Sequence, residues 1–347
     1  MHQTTRMSTR ETQLAGVSDT PSAIGSASGP LSTLAARIEA SLIRLGVSDG
    51  APLVLAVSGG PDSMALMHLA GVVSAAHGWR PRVAHLDHGL RDGSAEDARF
   101  VADAASQLGM DVTVHKTDVA ALAAERGDGL EEAGRVARYA FLEKEAEVAG
   151  PDAVILTAHT ADDQAETILL HLARGAGLAG LSGIAERRGR IVRPLLGERR
   201  PNLRRALDGA GIRYRIDPSN DDPRFSRNRA RTDLLPAFEG LHGRAIEAVG
   251  RMASQAADDD RLLDALALTA LAGRLSADGW IDWRPAPPAA IAARMVRAAA
   301  GIPAPSSERT EALVAAGNDR RGGRVIELGS GRSAVLRRGR VRIVRRT

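Results

Sequence analysis

Leu53-Val54-Leu55-Ala56-Val57-Ser58-Gly59-Gly60-Pro61-Asp62-Ser63 is the stretch on which the fold turns. Its first five residues are an unbroken apolar run, the pattern of a strand buried on both faces. Two glycines then open onto a helical pattern. A strand that feeds glycines into a helix N-terminus presents backbone N–H groups and the positive end of the helix dipole, and both favour phosphate. Gly59 and Gly60 let the backbone approach closely, and Ser58 and Ser63 add hydroxyl donors. Pro61 fits the first helical position, where no N–H is needed. The loop is not a Walker motif, because it lacks the lysine that would reach the terminal phosphates. A glycine turn capped by serine is the plain structural alternative.

Outward from this stretch the alternation repeats. Short apolar runs recur at residues 82–86, 112–114 and 153–156, and helical patterns at 62–76, 95–108, 131–148 and 163–173. Strands and helices at this spacing predict an α/β fold, a parallel sheet with helices on both faces. Ile191-Val192 and Tyr214-Arg215-Ile216 are candidates to extend the sheet. After Pro236 the character changes to a long Ala/Leu-rich helical pattern, 243–274, interrupted by Asp258-Asp259-Asp260. Two shorter helices follow Pro285-Ala286-Pro287-Pro288, and residues 324–346 alternate like a small β-meander. The expected organisation is a disordered leader over 1–30, an α/β domain over 31–236, a smaller helical domain over 237–318 and a short basic β region over 319–347.

The chain has 347 residues, 44% of them hydrophobic and 25% charged, enough to build a core without disulfides or structural metal. It has no cysteine, which excludes disulfides, thiolate zinc sites and cysteine-ligated clusters on this chain. Of 46 basic residues only Lys116 and Lys144 are lysine, so the positive side is permanent guanidinium charge suited to phosphate. No spanning segment or export signal is visible, so the expected location is the cytoplasm, with no membrane partner.

Two further clusters follow strand ends, where ligands of open α/β sheets bind. In His85-Leu86-Asp87-His88-Gly89-Leu90-Arg91, residues Asp87, His88 and Arg91 should face the same crevice as the glycine loop, unless they only form a turn and cap. In Thr157-Ala158-His159-Thr160-Ala161-Asp162-Asp163-Gln164-Ala165-Glu166-Thr167, residues Asp163, Glu166 and Thr167 lie three and four apart on one helix face. His159 and these carboxylates could coordinate Mg²⁺, position a nucleotide or take a proton from an amine. Zinc fits hard carboxylates less well. Gly175-Ala176-Gly177-Leu178-Ala179-Gly180 matches G-x-G-x-x-G formally, but it follows a helix and reads as a flexible loop.

Arginines concentrate in 187–215, where ten face Glu198 and Asp208, and in 320–346, where ten face Glu327. Arg224, Arg227 and Arg231 stand at helical spacing. Such density argues for nucleic acid, although a solvated charged face is the usual origin of charge runs. With aromatics at 3%, base stacking cannot dominate, so the expected partner is a folded RNA held through its backbone.

The loop Ser58–Ser63 resembles the SGGxDS loop of the PP-loop (adenine nucleotide alpha hydrolase-like) ATP pyrophosphatases. Within that class the motif order resembles the tRNA(Ile)-lysidine synthetase family. The matching positions are 58–63, 87–91, 135–139, 159–167, 174–183 and 217–231, and they cover residues 53 to about 236. One departure is Thr160, where many members carry a second His. The resemblance implies ATP as co-substrate with Mg²⁺, and tRNA(Ile) with a CAU anticodon and L-lysine as substrates. The implied reaction is C–N ligation at the wobble cytidine through an adenylated intermediate, releasing pyrophosphate and then AMP. It implies ATP binding by Ser58, Gly59, Gly60, Pro61, Asp62, Ser63, Asp87, His88 and Arg91, with Asp62 on the metal side. Asp163 and Glu166 are expected on the lysine side, Asp87 and His159 on the nucleotide side, in interchangeable roles. Arg138, Arg174, Arg224, Arg227 and Arg231 are expected to hold tRNA or the base, and a homodimer would fit a shared arginine surface. Another PP-loop adenylating enzyme, acting on a different tRNA base or a small amine acceptor, is the alternative. A tRNA thiolase is disfavoured by the missing cysteines.

Overall fold

A computed structural model describes residues 4–7, 29–89, 93–216, 226–319 and 323–345. These form two compact units, Met1–Ala253 and Ser254–Thr347. In the first unit, strand β1 (Thr4–Met7) and helix α1 (Pro30–Arg44) precede β2 (Pro52–Ala56), α2 (Pro61–His77), β3 (Arg80–Asp87), α3 (Ser94–Gln107) and β4 (Asp111–Lys116). The chain continues through α4 (Val119–Arg126), α5 (Leu130–Ala149), β5 (Val154–Leu156), α6 (Ala161–Ala173), α7 (Leu178–Leu181), the hairpin β6 (Arg187–Arg188) and β7 (Ile191–Val192), and α8 (Arg200–Gly209). Helix α9 (Ser226–Arg229) runs through a π-helical turn (Ala230–Leu234) into α10 (Leu235–Leu241) and then α11 (Ala245–Ala272).

The sheet order is β1-β4-β3-β2-β5-β7-β6. The five central strands are parallel, as the alternation predicts, while β1 and β6 add antiparallel edges. Four residues of the expected leader thus pair with the outer edge of β4, capping an edge that would otherwise expose unpaired backbone groups. The other expected leader residues before 29 lie outside the described residues.

Burial follows strand period. Leu53 and Leu55 of β2 enter one core with α1, α2, α3 and α8, whereas Val54 faces a second core built on Phe141, Leu142 and Ala146 of α5. Two expectations need correction. Tyr214-Arg215-Ile216 does not extend the sheet: it is irregular, and the Arg215 N–H donates to the Gly59 carbonyl at 2.9 Å. Nor does the aspartate triplet interrupt the long helix, because α11 passes straight through it. Asp260 and Asp264 there accept hydrogen bonds from Arg294 at 2.6 and 3.0 Å, so their charge is compensated rather than disruptive.

The second unit contains most of α11, β8 (Ile281–Asp282), α12 (Ala289–Ala300), α13 (Ser307–Asn318) and the meander β9 (Arg324–Gly329), β10 (Arg332–Arg337) and β11 (Arg340–Arg345). Strand order is β8-β11-β10-β9, all antiparallel. Helices and sheet share one core around buried Trp283, whose Nε1–H donates to Asn318 Oδ1 at 3.0 Å. Among the described residues no helix is long and apolar enough to cross a membrane.

Sheet order positions the site. Chain progression runs outward from β2 through β3 to β4, then returns to β5 on the other side of β2. The boundary between β2 and β5 is therefore the topological switch point, and in open α/β sheets ligands bind at the carboxyl ends of the strands there. The glycine loop follows β2, and the acid-rich cluster follows β5.

Candidate functional site

The glycine loop takes the geometry its residues suggest. Gly60 is the extended N-cap of α2 and Pro61 opens the helix. Gly59 has φ +90°, and a Cβ there would stand 3.3 Å from Val101 Cγ2, so both conformation and space call for glycine. The Ser63 hydroxyl donates to the Gly60 carbonyl at 3.0 Å, accepts from the Ser58 N–H at 3.2 Å and lies 3.2 Å from Ser58 Oγ. Ser63 thus staples the loop closed on itself, while Ser58 is exposed.

Thr160 caps α6. Its Oγ1 accepts from the Asp163 N–H at 3.3 Å and donates to Asp163 Oδ2 at 2.7 Å, and its own N–H donates to the same oxygen at 2.8 Å. The residue that departs from the family pattern is therefore a buried helix cap. It fixes Asp163 in the first turn, and Glu166, one turn later, has no exposed surface. Two buried acids side by side need cations.

Those cations come from outside the helix. Arg200 donates through Nε to Asp62 Oδ2 at 2.9 Å, through Nη2 to Asp163 Oδ1 at 2.9 Å and through Nη1 to Glu166 Oε1 at 3.3 Å. Arg227 donates to Glu166 Oε2 at 2.8 Å and Asp163 Oδ1 at 3.1 Å, and Arg231 Nε donates to Glu166 Oε1 at 2.8 Å. Asp162 turns the other way: it accepts from Arg199 at 3.2–3.3 Å and from the Arg200 N–H at 2.8 Å. Thus Asp62 at the start of α2 and Asp163 and Glu166 at the start of α6 are joined by one guanidinium at the switch point.

The electrostatics differ within this cluster. Burial pushes the Asp62 carboxyl above the usual range, outweighing Arg200. Burial would raise Asp163 as well, but Arg200, Arg227 and the Thr160 hydrogen bonds overcome it and hold Asp163 below its ordinary value. His159 is driven down to about 4 by burial, with Arg193, Arg227 and Arg138 adding to the effect against Asp163. It shares a 2.9 Å hydrogen bond with Thr157 Oγ1 and is a neutral imidazole near pH 7. His88 is likewise lowered to about 4, by burial and then by Arg138, and its Nδ1 is buried without a hydrogen-bond partner.

Not every expected residue joins the cluster. Asp87 is buried at the end of β3, where its Oδ1 accepts from the Gly89 N–H at 2.9 Å and makes a turn. Arg138 is exposed, and its charge acts on His88, His159 and Arg227. Arg174 caps the far end of α6, roughly 12 Å from Glu166 and about 16 Å from Asp163 at 1.5 Å per helical residue. Arg91 and Arg224 lie outside the described residues. Arg227 and Arg231 share a helix face, as expected, but that face meets the acids rather than projecting outward.

Arg199 and Arg200 escaped the sequence reading because they sit in a run read as an RNA-facing surface. The signal was available: Asp62, Asp162, Asp163 and Glu166 are acids at helix starts with no cation nearby in sequence. The same run contains other arginines used inside the protein. Arg193 is buried and donates to the Ala185 carbonyl at 2.7 Å, and Arg187 donates to the carbonyls of Leu45 and Gly46. In the second unit, buried Arg332 donates to the carbonyls of Ala300 and Pro303. The raw arginine count therefore overstates the surface open to a polyanion.

Among the described residues no group of three His, Asp or Glu side chains could by itself hold a metal ion. Asp62 Oδ1, however, is buried and lacks a hydrogen-bond partner. One carboxylate oxygen beside a phosphate loop fits Mg²⁺, which is held by one or two carboxylates together with substrate phosphates.

A family model described as a PP-loop domain matches residues 32–238. A tRNA(Ile)-lysidine synthase of Thermus thermophilus is 46% identical over 223 residues, 64% of this chain and 42% of that protein. The tRNA(Ile)-lysidine synthase of Salinispora tropica is 40% identical over 261 residues, 73% of this chain and 76% of that protein. The match thus spans about two fifths of the Thermus relative's length and about three quarters of the Salinispora relative's. Among solved structures, the U34-tRNA thiolase NcsA from Methanococcus maripaludis with its 4Fe-4S cluster aligns with a TM-score of 0.55 at 12% identity. The alignment covers 65% of this chain and 79% of that one, a likeness of fold.

Proposed function

Given that this chain belongs to the PP-loop domain family and, within it, to the tRNA(Ile)-lysidine synthases, we propose that it ligates L-lysine to the wobble cytidine of a CAU-anticodon tRNA(Ile) at the expense of ATP. The observation that carries this reading is the pairing at the switch point. A glycine loop suited to pyrophosphate stands beside a buried acid pair suited to an amine, and Arg200 joins the two.

In the first half-reaction the cytosine 2-carbonyl oxygen attacks the α-phosphorus of ATP, and the bond to the bridging oxygen breaks. Pyrophosphate leaves with that oxygen. Backbone N–H groups of the loop and the N-terminus of α2 stabilise the charge that develops on it. Mg²⁺ bound with ATP would share that charge, and the unpaired Asp62 Oδ1 supports Asp62 as the residue that would hold it. In the second half-reaction the lone pair of a neutral lysine ε-amine attacks C2, and the C2–O bond breaks. AMP departs with the former carbonyl oxygen, and the nitrogen loses a proton to a carboxylate. In this reading Asp163 and Glu166 orient the amine and accept that proton. His159 and His88, neutral imidazoles, would position rather than protonate. Asp87 and Arg91 belong to the nucleotide side in this scheme, and Arg138, Arg174, Arg224, Arg227 and Arg231 to the RNA. A thiolase-like role would need cysteines that the chain does not have.

The test is AMP formation from ATP by the full chain with CAU-anticodon tRNA(Ile), with and without lysine. Pyrophosphate release that needs the tRNA, followed by AMP release that needs lysine, supports the reading. Pyrophosphate release that ignores the tRNA refutes it.

A further inference from the structure

The three arginines around the acids are not equivalent. The Arg200 side chain is 12% exposed and spends all three of its nitrogens on carboxylates, whereas Arg227 and Arg231 are 36% and 29% exposed. Arg200 is also fixed at its root: its N–H is taken by Asp162, at the start of a helix packed on α2. Three carboxylates against Arg200 alone leave two negative charges uncompensated, and Arg227 and Arg231 neutralise them in the ligand-free chain. If those two arginines turn to RNA or adenylate, the balance left beside Arg200 suits incoming cations, among them a lysine ammonium.

Resting on the lysine-ligating reading above, we propose that Arg200 is a positioning residue for the amine. It holds Asp163 and Glu166 in place while Arg227 and Arg231 exchange partners, and its fixed charge favours the neutral form of the ε-amine those acids receive. The chemistry requires both effects. A lysine ε-amine ordinarily titrates near 10.4, and two carboxylates alone would hold it charged and unreactive. A guanidinium shared by the same carboxylates opposes that. Other charges face the cluster from each element, including Arg138 of α5 and Arg193, which act on His159. On α2, Asp62 is bound to Arg200 and also feels Arg204 of α8. On α6, Asp162 is held by Arg199. Ahead of α6, His159 is neutral.

The experiment follows the two half-reactions of the full chain separately across pH, reading pyrophosphate release and lysine-dependent AMP release on CAU-anticodon tRNA(Ile). In R200Q the pH midpoint of the lysine step should move up by about one unit, while pyrophosphate release, which loses the Arg200 bond to Asp62, should slow. R200K keeps the charge and should keep the wild-type midpoint. If R200Q does not fold, R200M fills the same volume without charge and takes its place. An unmoved lysine midpoint in the uncharged variant, or a midpoint moved equally in R200K, would overturn the proposal. Wild-type protein that releases pyrophosphate but transfers no lysine would instead sink the functional reading itself, and the proposal with it.

Discussion

Replacing Glu166 with glutamine tests the buried charge cluster first through stability. Glu166 is fully buried and accepts hydrogen bonds from Arg200, Arg227 and Arg231. The substitution preserves shape and one acceptor oxygen but removes the charge. Asp62 and Asp163 are then left to balance three guanidinium groups. Breaking a buried ion pair by deleting one partner costs about 3–5 kcal/mol. The lower end applies here, because Arg227 and Arg231 are about one-third exposed and can regain water. A loss of about 3 kcal/mol corresponds to a Tm lower by roughly 6–12 °C for a unit of this size. Thermal unfolding followed by circular dichroism at low salt near neutral pH reads it directly. Lysine transfer should fall at least ~100-fold, the usual range for a general base. A Tm within about 2 °C of wild type would refute the reasoning, since a dispensable charge cannot be what holds three arginines in place.

Other expectations follow from the same geometry. Gly59→Ala places a Cβ against Val101 at positive φ; it should cost about 1–2 kcal/mol and weaken the rise in Tm that ATP confers, and an undiminished ATP shift would contradict the loop's role. Thr160→Ala removes the α6 cap and should lower Tm by about 2–4 °C for a loss of ~1 kcal/mol, whereas Thr160→Ser should retain most of it. His88 and His159 titrate near 4 in the folded chain against 6.5 when unfolded, so the unfolded state binds more protons between those values. Their contribution is complete above 6.5 and is lost as pH falls toward 4. The double variant H88Q/H159Q should flatten urea-measured stability across that window, and an unchanged slope would count against the burial of these rings.

Much of this arrangement is legible in the residues, and what is not has a physical reason. The strands β2 to β5 and their helices follow from apolar runs buried on both faces, and the glycine loop from a strand running into Gly-Gly-Pro. The elements missed are short or depend on partners. Helix α4 is eight residues with a weak periodic pattern, and β1 exists only because β4 offers it an edge. Tyr214-Arg215-Ile216 looks like a strand by composition, but its backbone is recruited by Gly59 instead. At the site, the acids are visible as a cluster on α6, yet their counter-charges arrive from residues 34 to 65 positions away. Charge density along a sequence cannot distinguish an arginine that faces a polyanion from one spent on the protein's own acids and carbonyls. Arg187, Arg193, Arg200 and Arg332 all belong to the second kind.

The central claim is that the phosphate loop and the acid pair serve two halves of one ligation. The most direct measurement is transfer of labelled lysine to unmodified CAU-anticodon tRNA(Ile), with and without ATP, using elongator methionine tRNA as control. Incorporation should require both ATP and the isoleucine tRNA. ATP consumed to AMP with no lysine incorporated, or equal incorporation into methionine tRNA, would contradict that claim.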